Sequence, residues 1–132
     1  MLFASPANRD FEALADDCSV DVALDTYPSA GTTTTCDALF MGVPVVTLVG
    51  ATPASRPGRS LLHRVGLDEN VTTSVEAYVA RAVDALRERG GVDRAALRER
   101  FLTGELGDAR GLSFALAALF RREIASVEAT SR

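Results

Sequence analysis

The chain has 132 residues, of which 47% are hydrophobic and 24% charged, with 18 acids against 14 bases and a net charge of −4. That length and balance describe one compact domain able to bury its own core, and they exclude a disordered or collagen-like chain. The acidic balance gives broad binding to nucleic-acid phosphates no electrostatic footing, so any bound phosphate must be held locally.

In chain order, Phe11, Leu14 and Ala15 recur at helical spacing and predict a short amphipathic helix from Asn8 to Asp17. Val20-Asp-Val-Ala-Leu-Asp25 reads as a buried strand, stopped by Thr-Tyr-Pro-Ser-Ala-Gly. A helix follows, capped by Thr32 or Thr33, continued by Ala38, Leu39 and Met41, and ended by Gly42 and Pro44. Pro44 to Val49 is nearly continuous in apolar, β-branched character, as in a strand covered on both faces of a parallel sheet.

After a loop from Gly50, Pro57 is placed for the first turn of a helix running to about Val65, before Gly66. Asn70 to Thr73 is a third strand, Ser74 opens a helix through Leu86, and Gly90-Gly91 stops it. Two more helices are predicted over Asp93–Leu102 and Leu112–Val127, within residues 93–127. Their arginine-rich approach, Arg87 to Arg100, alternates in charge sign and reads as a solvated surface. The fold class is α/β: a partial Rossmann-like parallel sheet with flanking helices, in one domain over 1–132. Three strands are few for a doubly wound sheet. The first two are apolar enough for mid-sheet positions, which predicts that part of the sheet comes from elsewhere.

Several chemistries are excluded by residue type. All fourteen bases are arginine, so the lysine of a P-loop is missing, and one histidine cannot form an HExxH zinc site. Cys18 and Cys36 are too few for a disulfide scaffold. The opening MLFASPANRD has neither the basic nor the apolar region of a secretory signal. No apolar run approaches the roughly 20 residues of a membrane span, so a cytoplasmic location and no membrane partner are expected.

The chemistry is concentrated in Asp25-Thr-Tyr-Pro-Ser-Ala-Gly-Thr-Thr-Thr-Thr-Cys-Asp37, between a strand end and a helix start. Gly31 permits a tight turn, and Thr32, Thr33 and Thr34 offer amides and hydroxyls at a helix N-terminus, an anion site needing no cationic side chain. Asp37 lies one turn further on the same face, where a carboxylate accepts two hydrogen bonds from a ribose diol. Together these describe a site for a nucleoside-diphosphate sugar. The same residues also fit a threonine-rich helix cap with Asp37 near the positive end of the dipole. Arg56 either reaches a phosphate or anchors its loop through carbonyls, and the anchor is favoured. His63 reads as a helix-surface residue near a C-terminus, and Cys36 as a packing residue whose thiolate Asp37 disfavours.

The run Asp21 to Leu48, with Ala54-Ser55-Arg56, Ser60-Leu61-Leu62, Val65-Gly66-Leu67 and Glu76-Ala-Tyr78-Val79, resembles the C-terminal catalytic lobe of the O-linked N-acetylglucosamine transferases and SPINDLY-like proteins. The likeness is strongest over 13–86. It implies a GT-B glycosyltransferase lobe that transfers N-acetylglucosamine from UDP-GlcNAc to protein hydroxyls, inverting and without a metal or cofactor. By the same resemblance, Thr33 and Thr34 bind the UDP pyrophosphate through their amides and Asp37 binds the ribose. The departures bear on activity. Thr32 stands where the family often has histidine, Pro57 where an aliphatic residue is common, and the family's upstream lysine, N-terminal-lobe histidine and tetratricopeptide repeats are not among these residues. Catalytic residues are therefore left unassigned. The chain alone is expected to bind UDP or a UDP-sugar without turnover, and to need an N-terminal lobe, a partner chain or self-association. The alternative is a non-catalytic UDP-sugar-binding or interaction module.

Overall fold

The computed structural model describes residues 20–88 and 92–130. The helix expected over Asn8–Asp17 and the stop at Gly90-Gly91 lie outside them. The described elements are β1 (Ala23–Leu24), α1 (Thr33–Phe40), β2 (Val45–Leu48), α2 (Pro57–Arg64), β3 (Val71–Thr72), α3 (Val75–Arg87), α4 (Arg94–Thr103) and α5 (Ala109–Thr130), with 3-10 turns at Pro53–Ser55 and Asp68–Asn70. The strands form a parallel sheet in the order β1-β2-β3, with Ala23 opposite Val45 and Thr47 opposite Val71. The partial Rossmann-like α/β class expected from the sequence is the class observed.

β2 is central, and all four of its residues are buried, as its nearly continuous apolar run requires of a strand covered on both faces. The core joins Val43 and Val45 to Ala38 and Leu39 of α1, Leu62 of α2, Val65, Leu67 and Leu97 of α4. Each large aliphatic buried here contributes about 1.5–3 kcal/mol relative to exposure. α4 packs on α1, where the rings of Phe40 and Phe101 meet edge to face at 6.3 Å and the Arg98 guanidinium lies 4.7 Å over Phe40.

Three expectations are corrected. The first strand, expected over Val20–Asp25, is confined to Ala23–Leu24 and forms the edge of the described sheet. The Ala23 amide donates to the Pro44 carbonyl and the Asp25 amide to Val46, the chain then leaves for the loop, and Leu24 is 53% exposed. The third strand is likewise two residues long, and buried Asn70 takes over its ladder: Nδ2 donates to the Val45 carbonyl (2.9 Å), and Oδ1 accepts from Arg81 Nε (2.7 Å). The last helix begins at Ala109 rather than Leu112, because Asp108 Oδ1 accepts from the Gly111 amide at 2.7 Å and starts it earlier.

Candidate functional site

The carboxyl ends of β1 and β2 open into two loops that lie side by side, where open α/β sheets place their ligands. The Ala30 amide donates to the Ala54 carbonyl at 2.9 Å and ties the loop after β1 to the loop after β2. α1 and α2 both start at this edge. Gly58, in the first turn of α2, lies so close to the Asp25 carboxylate and the Thr47 hydroxyl that a Cβ there would collide with both.

The threonine run begins α1, with Thr32 in the N-cap position, but Thr32 supplies no side-chain cap. This corrects the expected Thr32 or Thr33 cap. The backbone explains it: Thr32 has φ −115° and ψ −64°, a helical-region conformation rather than the extended one that swings a cap hydroxyl over the N2 and N3 amides. α2, with Arg56 as N-cap, also lacks a side-chain cap. By contrast Ser74 caps α3 through the Ala77 amide, and Asp93 caps α4 through the Ala96 amide. The helix starts beside the end of β1 are therefore the ones whose orphan amides, and whose positive dipole ends, no side chain satisfies.

Thr32, Thr33 and Thr34 are exposed, Gly31 and Asp37 half-buried, and Thr35 turns inward to donate to the Gly31 carbonyl (3.1 Å). Asp37 sits one turn into α1. Among the described residues no donor is bonded to its carboxylate, so both oxygens remain available at the face carrying the threonine amides. Cys36 has its thiol pKa raised, first by burial and then by the Asp37 charge, which fits a packing residue rather than a nucleophile.

Sequence reasoning assigned no role to Asp25, and it organises the loop. Its carboxylate is buried: Oδ1 accepts from the amides of Thr26 (3.0 Å) and Gly31 (2.7 Å), and Oδ2 from Thr47 Oγ1 (2.7 Å). The Tyr78 hydroxyl, at the start of α3, donates to the Asp25 carbonyl at 2.8 Å, and its pKa is raised by burial and by the Asp25 charge. The available signal was an acid directly after a buried strand, six residues before the glycine that leads into a helix.

The remaining candidates lie on α2 and the turns that flank it. An open cleft of about 450 Å³ on α2 is lined by Arg56, Arg59, Ser60, His63, Arg64 and Asp68. Its charges are largely engaged with one another and with neighbouring groups. His63 Nδ1 pairs with Asp68 at 2.8 Å, Arg64 reaches Glu105 and Ser60, and Arg56 Nη2 donates to the Ala51 carbonyl at 2.9 Å, the loop anchor favoured from the sequence.

Residues 2–103 match the family model described as Glycosyl transferase family 41. The chain is 38% identical over 104 residues to the probable UDP-N-acetylglucosamine--peptide N-acetylglucosaminyltransferase SPINDLY of Hordeum vulgare, spanning 77% of this chain and 11% of that protein. It is 40% identical over 97 residues to the protein of the same description from Arabidopsis thaliana, spanning 74% of this chain and 11% of the relative. A solved mutant of an O-GlcNAc transferase from Thermobaculum terrenum superposes with a TM-score of 0.72 at 38% identity, over 92% of this chain and 23% of that one. Sequence and fold agree, and the chain belongs to glycosyl transferase family 41.

Proposed function

We propose that this chain is the nucleotide-binding portion of a UDP-GlcNAc-dependent protein O-glycosyltransferase, with the diphosphate on the α1 N-terminus and the ribose on Asp37. The observation that carries the reading is the helix start beside β1 that no side chain caps, followed one turn later by an unengaged carboxylate. The relatives' descriptions supply the donor sugar and the peptide acceptor. In this reading the amides of Thr33 and Thr34 bind the β-phosphate oxygens, Gly31 lets the backbone approach, and the Thr32 to Thr34 hydroxyls donate to the phosphate rim. As the bond from the anomeric carbon to UDP breaks in an inverting, metal-independent displacement, negative charge grows on the departing diphosphate. The fixed amides and the helix dipole stabilise that charge without reorganising.

Binding and turnover separate in this chain. The sequence has no lysine, and its one histidine, on α2, is paired with Asp68. UDP should bind weakly, and Asp37→Ala should weaken it by about 1–3 kcal/mol through loss of hydrogen bonds to a charged acceptor. Calorimetric titration of both proteins is the check, and equal affinities would remove Asp37 from the site. The purified chain should release no UDP from UDP-GlcNAc in the presence of acceptor peptides. Sustained release, abolished by Asp37→Ala, would place the missing base within these residues.

A further inference from the structure

We infer that Asp25 is the positioning residue of the diphosphate site, acting through the Gly31 amide to aim the N-terminus of α1. The inference rests on the nucleotide-binding reading above and extends it to a residue that does not touch the ligand.

Asp25 is only 8% exposed, and each carboxylate oxygen has a donor: Thr26 and Gly31 amides on Oδ1, the Thr47 hydroxyl on Oδ2. Buried, with three donors already on it, the carboxylate is turned to its own loop rather than to a ligand. Thr47 is fully buried in the central strand, so the carboxylate is fixed to the middle of the sheet. Behind it, Gly58 admits the first turn of α2 to direct contact, and Tyr78 holds the Asp25 carbonyl. The carboxylate thus spans the loop from its first residue to its last, because Gly31 directly precedes the Thr32 cap position of α1. With the Gly31 carbonyl also accepting from Thr35, the peptide units leading into α1 are held at both ends. Amides that bind an anion strongly must be aimed before it arrives, and this contact sets their aim.

The carboxylate also places a negative charge below a site for anions, which opposes binding. Its value there must come from its hydrogen bonds and not from its charge. Asp25→Asn separates the two. The asparagine Oδ1 keeps both amide donors, its Nδ2 donates to Thr47 Oγ1, and the charge is gone.

The experiment is UDP titration of the 132-residue chain by 15N-detected NMR, with hydrogen exchange on the same samples. Asp25→Asn should bind UDP as tightly as the unaltered chain or up to a few-fold tighter. Asp25→Ala, with the β2 amides still protected, should bind about tenfold or more weakly, and its Gly31 to Thr34 amides should exchange faster. If Asp25→Ala does not fold, Thr47→Val, which frees the carboxylate from β2, should weaken binding in the same direction. A folded Asp25→Ala or Thr47→Val protein that binds with unaltered affinity overturns the positioning role alone, as does Asp25→Asn binding tenfold more weakly, which would mean that the charge itself meets the ligand. An unaltered chain that binds no UDP overturns the nucleotide-binding reading and this inference with it.

Discussion

The two carboxylates flanking the threonine run have opposite environments. Asp25 is buried with both oxygens bonded, whereas Asp37 is half-buried with neither engaged among the described residues. The charge of Asp37 also acts on its neighbour, because the Cys36 thiol pKa is raised by burial first and by Asp37 second. A raised thiol pKa leaves less thiolate at a given pH, so Cys36 should alkylate more slowly at pH 8 than a free cysteine. Asp37→Asn should speed that reaction, but only in part, since burial is the larger cause. Iodoacetamide labelling followed by mass spectrometry reads both rates. An unchanged rate in Asp37→Asn would show that the Asp37 charge does not reach the sulfur. At this scale the start of α1 was legible, because Gly31, Thr32 to Thr34 and Asp37 stand out by type and spacing. Asp25 was not: its role depends on Thr47, 22 positions away and fixed only by strand pairing.

Helix ends are the elements most fully determined by local sequence here. α1 and α2 close with the same motif. The Gly42 amide donates to Leu39 and the Val43 amide to Ala38, while Gly66 donates to His63 and Leu67 to Leu62. Gly42 and Gly66 have φ of 71° and 70°, the left-handed conformation that such a cap requires. Gly42→Ala should therefore cost at least the 1–2 kcal/mol or so of a left-handed alanine, and more because its Cβ would meet the Arg94 carbonyl of the α4 start. Gly66→Ala meets only the flexible Arg100 side chain and should cost less. Denaturant unfolding of the two variants checks the ranking, and equal losses would show that the α1–α4 contact adds nothing. α1 and α2 and their stops at Gly42 and Gly66 could be read because these signals lie within a few residues. The strands were overestimated because apolar β-branched runs mark burial, whereas strand length is set by the partner: β1 and β3 each pair over two residues, and side chains such as Asn70 continue the ladder.

At the scale of the molecule, large apolar side chains face outward among the described residues. Leu24 lies on the sheet edge, Val75, Val79, Val83 and Leu86 run along α3, and Leu112, Leu116, Phe120 and Ile124 run along α5, of which no described side chain is buried. A 22-residue helix with such a stripe gains its stability from packing. A helical repeat of apolar residues is legible in the sequence, but a periodicity does not say what lies opposite. The chain spans 11% of the SPINDLY proteins and 23% of the solved transferase chain. We expect the isolated 132-residue chain to self-associate at micromolar concentration, and Leu116→Glu with Phe120→Glu to shift it toward monomer. Sedimentation velocity measures this, and a monomer at all concentrations would mean that these faces need no partner.

The central claim is that the threonine-rich start of α1 holds a nucleoside diphosphate, and amide-resolved NMR during titration with UDP tests it most directly. The account predicts saturable shifts centred on Gly31 to Asp37, with smaller changes at Ala54 and Ser55 across the bonded loops. Shifts centred on the α2 arginine cleft instead, or no shifts at millimolar UDP, would contradict it.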